Sequence, residues 1–240
     1  MFDDLFSETS PRLGEVILDD EEALVKKVAV ILAGCGVYDG SEIQEVVLSL
    51  LAIEQAGASW HCFAPDEEQH HVINHHAGAP TGESRNTLQE AARICRGEIS
   101  PLTELDPTEY DALLLPGGFG VAKNLSDFAV NGSSMTVQED VLHICKAFAT
   151  AEKPAGYICI SPILIPKVYG PGAKGTIGSD PETAAAFEAM GGEHIQCPVD
   201  DFVLDQSRRL LSTPAYMLAT SVSEAASGIN KLVAKLVDIA

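Results

Sequence analysis

Lys27-Val-Ala-Val-Ile-Leu-Ala33 is an unbroken apolar run that stops at Gly34. A half-exposed strand alternates polar and apolar residues, so a continuous run this short belongs to a strand covered on both faces, as in a parallel sheet sandwiched by helices. The next segments fit that reading. Ile43, Val46, Val47, Leu50 and Leu51 recur at helical spacing up to Gly57, with Ser41 and Gln44 placed as a capping box. Ser59-Trp-His-Cys-Phe-Ala64 is a second apolar run. Strand, helix and strand in that order predict parallel strands joined by a right-handed crossover.

The unit repeats along the chain. Residues 111–118 read as a strand ending in a glycine turn, 137–150 as a helix, and 154–160 as another buried strand. Pro162 opens a short helix, where its missing N–H costs nothing. Residues 181–190 read as helical, and 201–205 with 209–212 as a polar hairpin. A closing helix carries Ala225, Ala226, Ile229, Leu232, Val233, Leu236 and Val237 on one face. Residues 65–107 are the least patterned, with one helix expected around 87–94. The fold class is therefore α/β with a mostly parallel central sheet, and residues 26–240 are expected to form one domain.

Charge excludes several partners. With 35 acids against 15 bases the 240-residue chain has a net charge of −20, which repels phosphate-bearing partners, so neither nucleic acid nor an anionic membrane surface is expected. Residues 1–25 are set apart as an acidic extension, because residues 1–24 hold eight acids and one base, Arg12, and show no apolar period. Asp3 and Asp4 stand where a secretory signal needs a basic start, and no run of about 18 apolar residues occurs, so a cytoplasmic location is expected. The six cysteines form no C-x-x-C pair, which argues against structural zinc and against a disulfide framework.

In an open parallel sheet, ligands bind beyond the carboxyl ends of the strands. Cys159 sits on a strand-to-helix turn between an apolar strand and Pro162, where a nucleophile is held clear of the sheet and the helix N-terminus favours a thiolate. Gly117 and Gly118 in a Pro-Gly-Gly turn offer backbone N–H groups that, with the N–H of Ile160, are placed to form an oxyanion hole. Glu42 and Glu45 lie one helical turn apart in the first turns after Gly40. Either acid, packed beside the thiol, has its pKa raised by desolvation and serves as a proton shuttle, and spacing leaves open which one points inward.

Two other patterns are set aside. Gly34-x-Gly36-x-x-x-Gly40 is a loosened dinucleotide fingerprint, but the next candidate acid, Asp66, lies 32 residues beyond Gly34 instead of about 20. His70-His71-Val-Ile-Asn-His75-His76 lacks metal-site spacing and reads as a solvated polar loop, so neither metal nor cofactor is expected.

Five segments carry a family resemblance: residues 34–45, Leu115-Pro-Gly-Gly-Phe-Gly-x-Ala-Lys-Asn-Leu125, Cys159-Ile-Ser-Pro162, Cys197-Pro-Val-Asp-Asp201 and Thr213-Pro-Ala-Tyr-Met-Leu218. From about Val28 onward the chain resembles the ElbB family, the isoprenoid biosynthesis glyoxalases of the ThiJ/PfpI branch of the class I glutamine amidotransferase-like superfamily. The resemblance implies a flavodoxin-like three-layer sandwich, Cys159 as elbow nucleophile, Glu45 as its acidic partner with Glu42 secondary, and a homodimer. It further implies a glutathione-independent glyoxalase that turns glyoxal or methylglyoxal into glycolate or lactate without a cofactor. Ile160 stands where many relatives place a histidine, and Asp180 falls where others place their base, so slow turnover is expected. Two alternatives accompany this reading: a redox sensor or partner-binding module using Cys159 oxidation, and an amidotransferase-like subunit linked to isoprenoid biosynthesis.

Overall fold

The computed structural model describes residues 25–240. The acidic extension expected at residues 1–25 thus lies, except for Val25, outside the described residues. In chain order the strands are β1 (Lys27–Ile31), β2 (Ser59–Ala64), β3 (Ile73–Asn74), β4 (Ala79–Pro80), β5 (Ile99–Pro101), β6 (Ala112–Leu115), β7 (Ala155–Ile158), β8 (Lys174–Gly175), β9 (Glu193–His194), β10 (Val203–Asp205) and β11 (Leu210–Thr213). The helices are α1 (Ile43–Gln55), α2 (Thr87–Ala91), α3 (Gly120–Lys123), α4 (Phe128–Asn131), α5 (Glu139–Thr150), α6 (Ile165–Tyr169), α7 (Pro181–Ala189) and α8 (Val222–Asp238).

Among the described residues, seven strands make one sheet in the order β10-β11-β7-β6-β1-β2-β5, parallel except where β10 meets β11. The apolar runs are its centre: Val28 to Ile31 of β1, all of β6 and all of β7 are buried. Helices cover both faces, and neighbouring residues of β7 show it. A Cβ at Gly156 would run into Leu232 of α8, whereas the next residue, Tyr157, packs against Cys145 of α5 and Tyr169 of α6. Successive strand residues face opposite ways, so α8, with α1 beside it, lies on one face and α5 with α6 on the other. This is the flavodoxin-like sandwich expected.

The chain leaves β1 toward β2 and β5, then returns to build β6, β7 and β11 on the other side. The β1–β6 boundary is therefore the topological switch point, where loops from the two halves splay apart and leave a crevice.

Three local expectations are corrected. Ser41 does not cap α1: Glu42 is the N-cap and accepts from the Glu45 N–H at 2.6 Å, while Ser41 Oγ accepts from Ala33 N–H at 2.8 Å. The α2 helix ends at Ala91, since the chain turns there toward Arg96 and Gly97, both with positive φ. The hairpin expected to be polar has only one edge strand, β10, because β11 is fully buried and pairs with β7 in the sheet interior.

Candidate active site

Cys159 follows β7 directly and has a φ of 63°, a left-handed conformation that costs a residue with a side chain roughly 1–3 kcal/mol. Its surroundings hold it there. The Cys159 N–H donates to the Thr213 carbonyl of β11 at 2.9 Å. Ser161 Oγ, fully buried, accepts from the Ile158 N–H at 2.7 Å and donates to the Leu115 carbonyl at 2.8 Å, tying the end of β7 to the end of β6. A short 3-10 turn, Ser161–Leu164, with Pro162 at its start then leads into α6.

Glu45 of α1 reaches the same point and is completely buried. Its carboxyl contacts the Cys159 thiol. Oε2 accepts from the Gly117 N–H at 2.9 Å and Oε1 from the Tyr216 N–H at 3.1 Å. Ala215, also at positive φ, aims that second N–H inward, and the Tyr216 hydroxyl donates to Gln44 on the same helix. Burial pushes Glu45 up to about 8, more than these donors pull it down.

The thiol departs from the expectation of a dipole-stabilised thiolate. Burial, with the Glu45 charge beside it, pushes the Cys159 pKa well above the usual thiol range, although the backbone N–H groups of Gly118 and Ile160 are directed at the sulfur and oppose the shift. The resting pair therefore holds a protonated thiol.

The other site residues separate by role. Gly118 and Ile160 flank the sulfur as donors, but the Gly117 N–H is spent on Glu45 and holds the acid. Gly117 matters as a space as well: a Cβ there would lie 2.4 Å from Cys159 Cβ and 2.7 Å from Glu45 Oε2. Glu42 lines the cavity while capping α1, and burial raises its pKa. Asp180 lines the cavity, where it accepts from the Thr183 N–H at 2.8 Å as the N-cap of α7, and the Thr183 hydroxyl together with that N–H lowers its pKa. Asp180 is thus employed as a cap at the position expected to hold a base.

A cavity of about 600 Å³ opens from Cys159 and Ile160 between Tyr38, Ile73, Phe119, Phe128, Tyr216 and Met217. The glycines of the 34–40 loop pack against protein there. Gly40 sits so close to Cys35 N that a Cβ would come within 2.2 Å, and one on Gly36 would reach the His75 ring at 2.5 Å. His75 in turn accepts from the Tyr38 N–H at 3.2 Å and stacks on the Tyr38 ring. The histidine segment is therefore a β3–β4 hairpin fastened onto the site loop, with His71 3.4 Å from Lys123 Nζ.

Asn124 falls inside the 115–125 motif, but nothing in its spacing assigns it a role. Its Nδ2 donates to the Ala33 and Asp39 carbonyls at 2.8 and 2.9 Å and its Oδ1 accepts from the His70 N–H at 2.9 Å, joining three segments around the cavity. Tyr216, 171 residues from Glu45, is equally invisible to spacing.

No family model matches the chain. Over 223 residues it is 42% identical to the glutamine amidotransferase-like class 1 domain-containing protein 3, mitochondrial, of Homo sapiens, covering 89% of this chain and 83% of the relative. It is equally similar to the ES1 protein homolog, mitochondrial, of Rattus norvegicus, with 42% identity over 89% of this chain and 84% of the relative. The chain belongs to the ES1 family of glutamine amidotransferase-like class 1 proteins. An isoprenoid biosynthesis protein with an amidotransferase-like domain from Ehrlichia chaffeensis superposes with a TM-score of 0.84 at 36% identity, over 90% of this chain and 99% of that one. Glyoxalase III of Candida albicans shares the fold at 12% identity, with a TM-score of 0.57 over 85% of this chain and 94% of that one. ES1 relatives carry a mitochondrial designation, which overturns the cytoplasmic location. That expectation rests on eliminating a secretory signal, and the elimination disposes of only one address.

Proposed function

We propose that this chain is a glyoxalase-type enzyme converting glyoxal or methylglyoxal to glycolate or lactate. One observation carries the reading: Glu45, buried and raised to about 8, touches the Cys159 thiol beneath the N–H groups of Gly118 and Ile160. Shared fold with glyoxalase III adds no residue to this argument.

The steps derive from the pair. Ionised Glu45 accepts the thiol proton as sulfur bonds to the aldehyde carbon, and the carbonyl electron pair moves onto oxygen, facing Gly118 and Ile160 N–H. Glu45 returns that proton to the oxygen, completing a hemithioacetal. It then removes the hydrogen on the same carbon while the hydroxyl proton passes to the neighbouring carbonyl oxygen, giving an enediolate, and delivers the removed proton to the neighbouring carbon, which leaves a 2-hydroxy thioester on Cys159. Water cleaves the thioester, releasing the hydroxy acid and regenerating the thiol. No electrons leave the substrate, because one carbon is oxidised as the other is reduced.

The reacting form needs Glu45 ionised, so the rate rises with pH through about 8. Cys159→Ala and Glu45→Gln are each expected to lower methylglyoxal consumption and lactate formation at least about 100-fold. Wild-type rates in either variant would refute the proposal. The protonated resting thiol disfavours oxidative sensing at Cys159, since peroxide reacts with the thiolate.

A further inference from the structure

The cavity is far larger than a molecule of the size of methylglyoxal fills, and two acids and one base line it. Glu42 is occupied by the Glu45 N–H and Asp180 by the Thr183 N–H. Ile73, Phe119, Phe128 and Met217 give the same space apolar walls. Among the described residues, Lys123 is the one basic side chain lining this space.

Lys123 is fixed in place without being neutralised. Nζ donates to the Tyr38 carbonyl at 2.6 Å, lies 3.4 Å from His71 Nε2, and stands 5.3 Å from the centroid of the Phe119 ring. An ammonium has three hydrogens to place, and a carbonyl with a long imidazole contact leaves one without a strong acceptor. Partial burial lowers its pKa, the mark of a cation deprived of water. Asp39 lies near enough to favour the charge; its Oδ2 accepts from the Ile73 N–H at 2.7 Å, its Oδ1 stands 3.7 Å from His75 Nε2 and accepts no hydrogen bond, and among the described residues Lys123 makes no ion pair. A partly desolvated, unpaired cation on a cavity wall gains most from an anion that enters the cavity.

We propose that Lys123 is the anion-binding, specificity-determining residue of this site, and that among carbonyl compounds the site favours an aldehyde that also carries a carboxylate or phosphate. The anion faces Lys123 and the neutral carbonyl faces Cys159. This deepens the carbonyl chemistry proposed above and rests on that reading for the Cys159 end alone.

Alkylation of Cys159 in the full chain, followed by peptide mass, tests it without turnover. Iodoacetate and iodoacetamide deliver similar carbon fragments with and without a negative charge. The iodoacetate-to-iodoacetamide rate ratio is expected to fall about fivefold or more in Lys123→Gln and to be retained in Lys123→Arg. An unchanged ratio in Lys123→Gln overturns the proposal. Inorganic phosphate and propionate then identify the anion: protection by one assigns its class, protection by both assigns an unselective anion site, and protection by neither overturns the assignment. A Lys123-dependent ratio in a protein that leaves methylglyoxal untouched would sink the glyoxalase reading and leave the anion site standing. Normal methylglyoxal turnover with an unchanged ratio would do the reverse.

Discussion

A buried carboxyl and a buried thiol in contact resist being charged together, so the pair at Glu45 and Cys159 works as one proton-handling unit and its alignment decides its use. Gly117 sets that alignment. In Gly117→Ala the new methyl meets Cys159 Cβ at 2.4 Å, and the two side chains must part. The expected result is a loss of about 1–3 kcal/mol in denaturant unfolding together with at least a tenfold drop in methylglyoxal consumption. A stable, fully active variant would show that the contact is not used. At this scale the sequence is legible where a residue's neighbours along the chain define its conformation. Cys159 is visible because an apolar strand precedes it and Pro162 comes after it. Glu42 and Glu45 are not separable, since both lie near the same helix start and only burial tells the cap from the inward acid. The Gly117 N–H reads as an oxyanion donor because the Pro-Gly-Gly turn says that donors are free, not where they point.

Among the elements, the cavity is assembled from loops, and Asn124, just after α3, joins them with three hydrogen bonds. Asn124→Ala leaves the Ala33 and Asp39 carbonyls and the His70 N–H without their partner. It is expected to cost about 1–3 kcal/mol and to speed amide exchange selectively in residues 34–40 and 70–80. Exchange that quickens uniformly across the sheet would show a global defect instead. The strands β1, β6 and β7 are readable because burial on both faces writes a continuous apolar run, and β2 through its buried half, Cys62 to Ala64. The two-residue strands β3, β4, β8 and β9 are too short for any period to develop. β11 misleads because Arg208 and Arg209 precede it and give a buried strand the look of an exposed one.

For the whole molecule, the Glu45 proton links the site to stability. The folded protein holds it up to about 8 and the unfolded chain releases it near the ordinary glutamate value of about 4.3. Folding is therefore supported by this proton below about pH 4, and the support is lost as pH rises through about 8. Relative to Glu45→Gln, which has no such proton, wild type is expected to lose roughly 3 kcal/mol between about pH 5.5 and about pH 8.5 in chemical denaturation. A difference between the two proteins that stays constant with pH would rule out the buried ionisation.

The strand order has a consequence for handling the protein at high concentration. Both edges of the sheet, β5 and β10, are three residues long, and β5 ends at Pro101, which has no N–H to offer. The longer apolar strands all lie inside. A second chain that approaches either margin finds too few free backbone groups to continue the ladder, so the native fold gives little template for fibre growth.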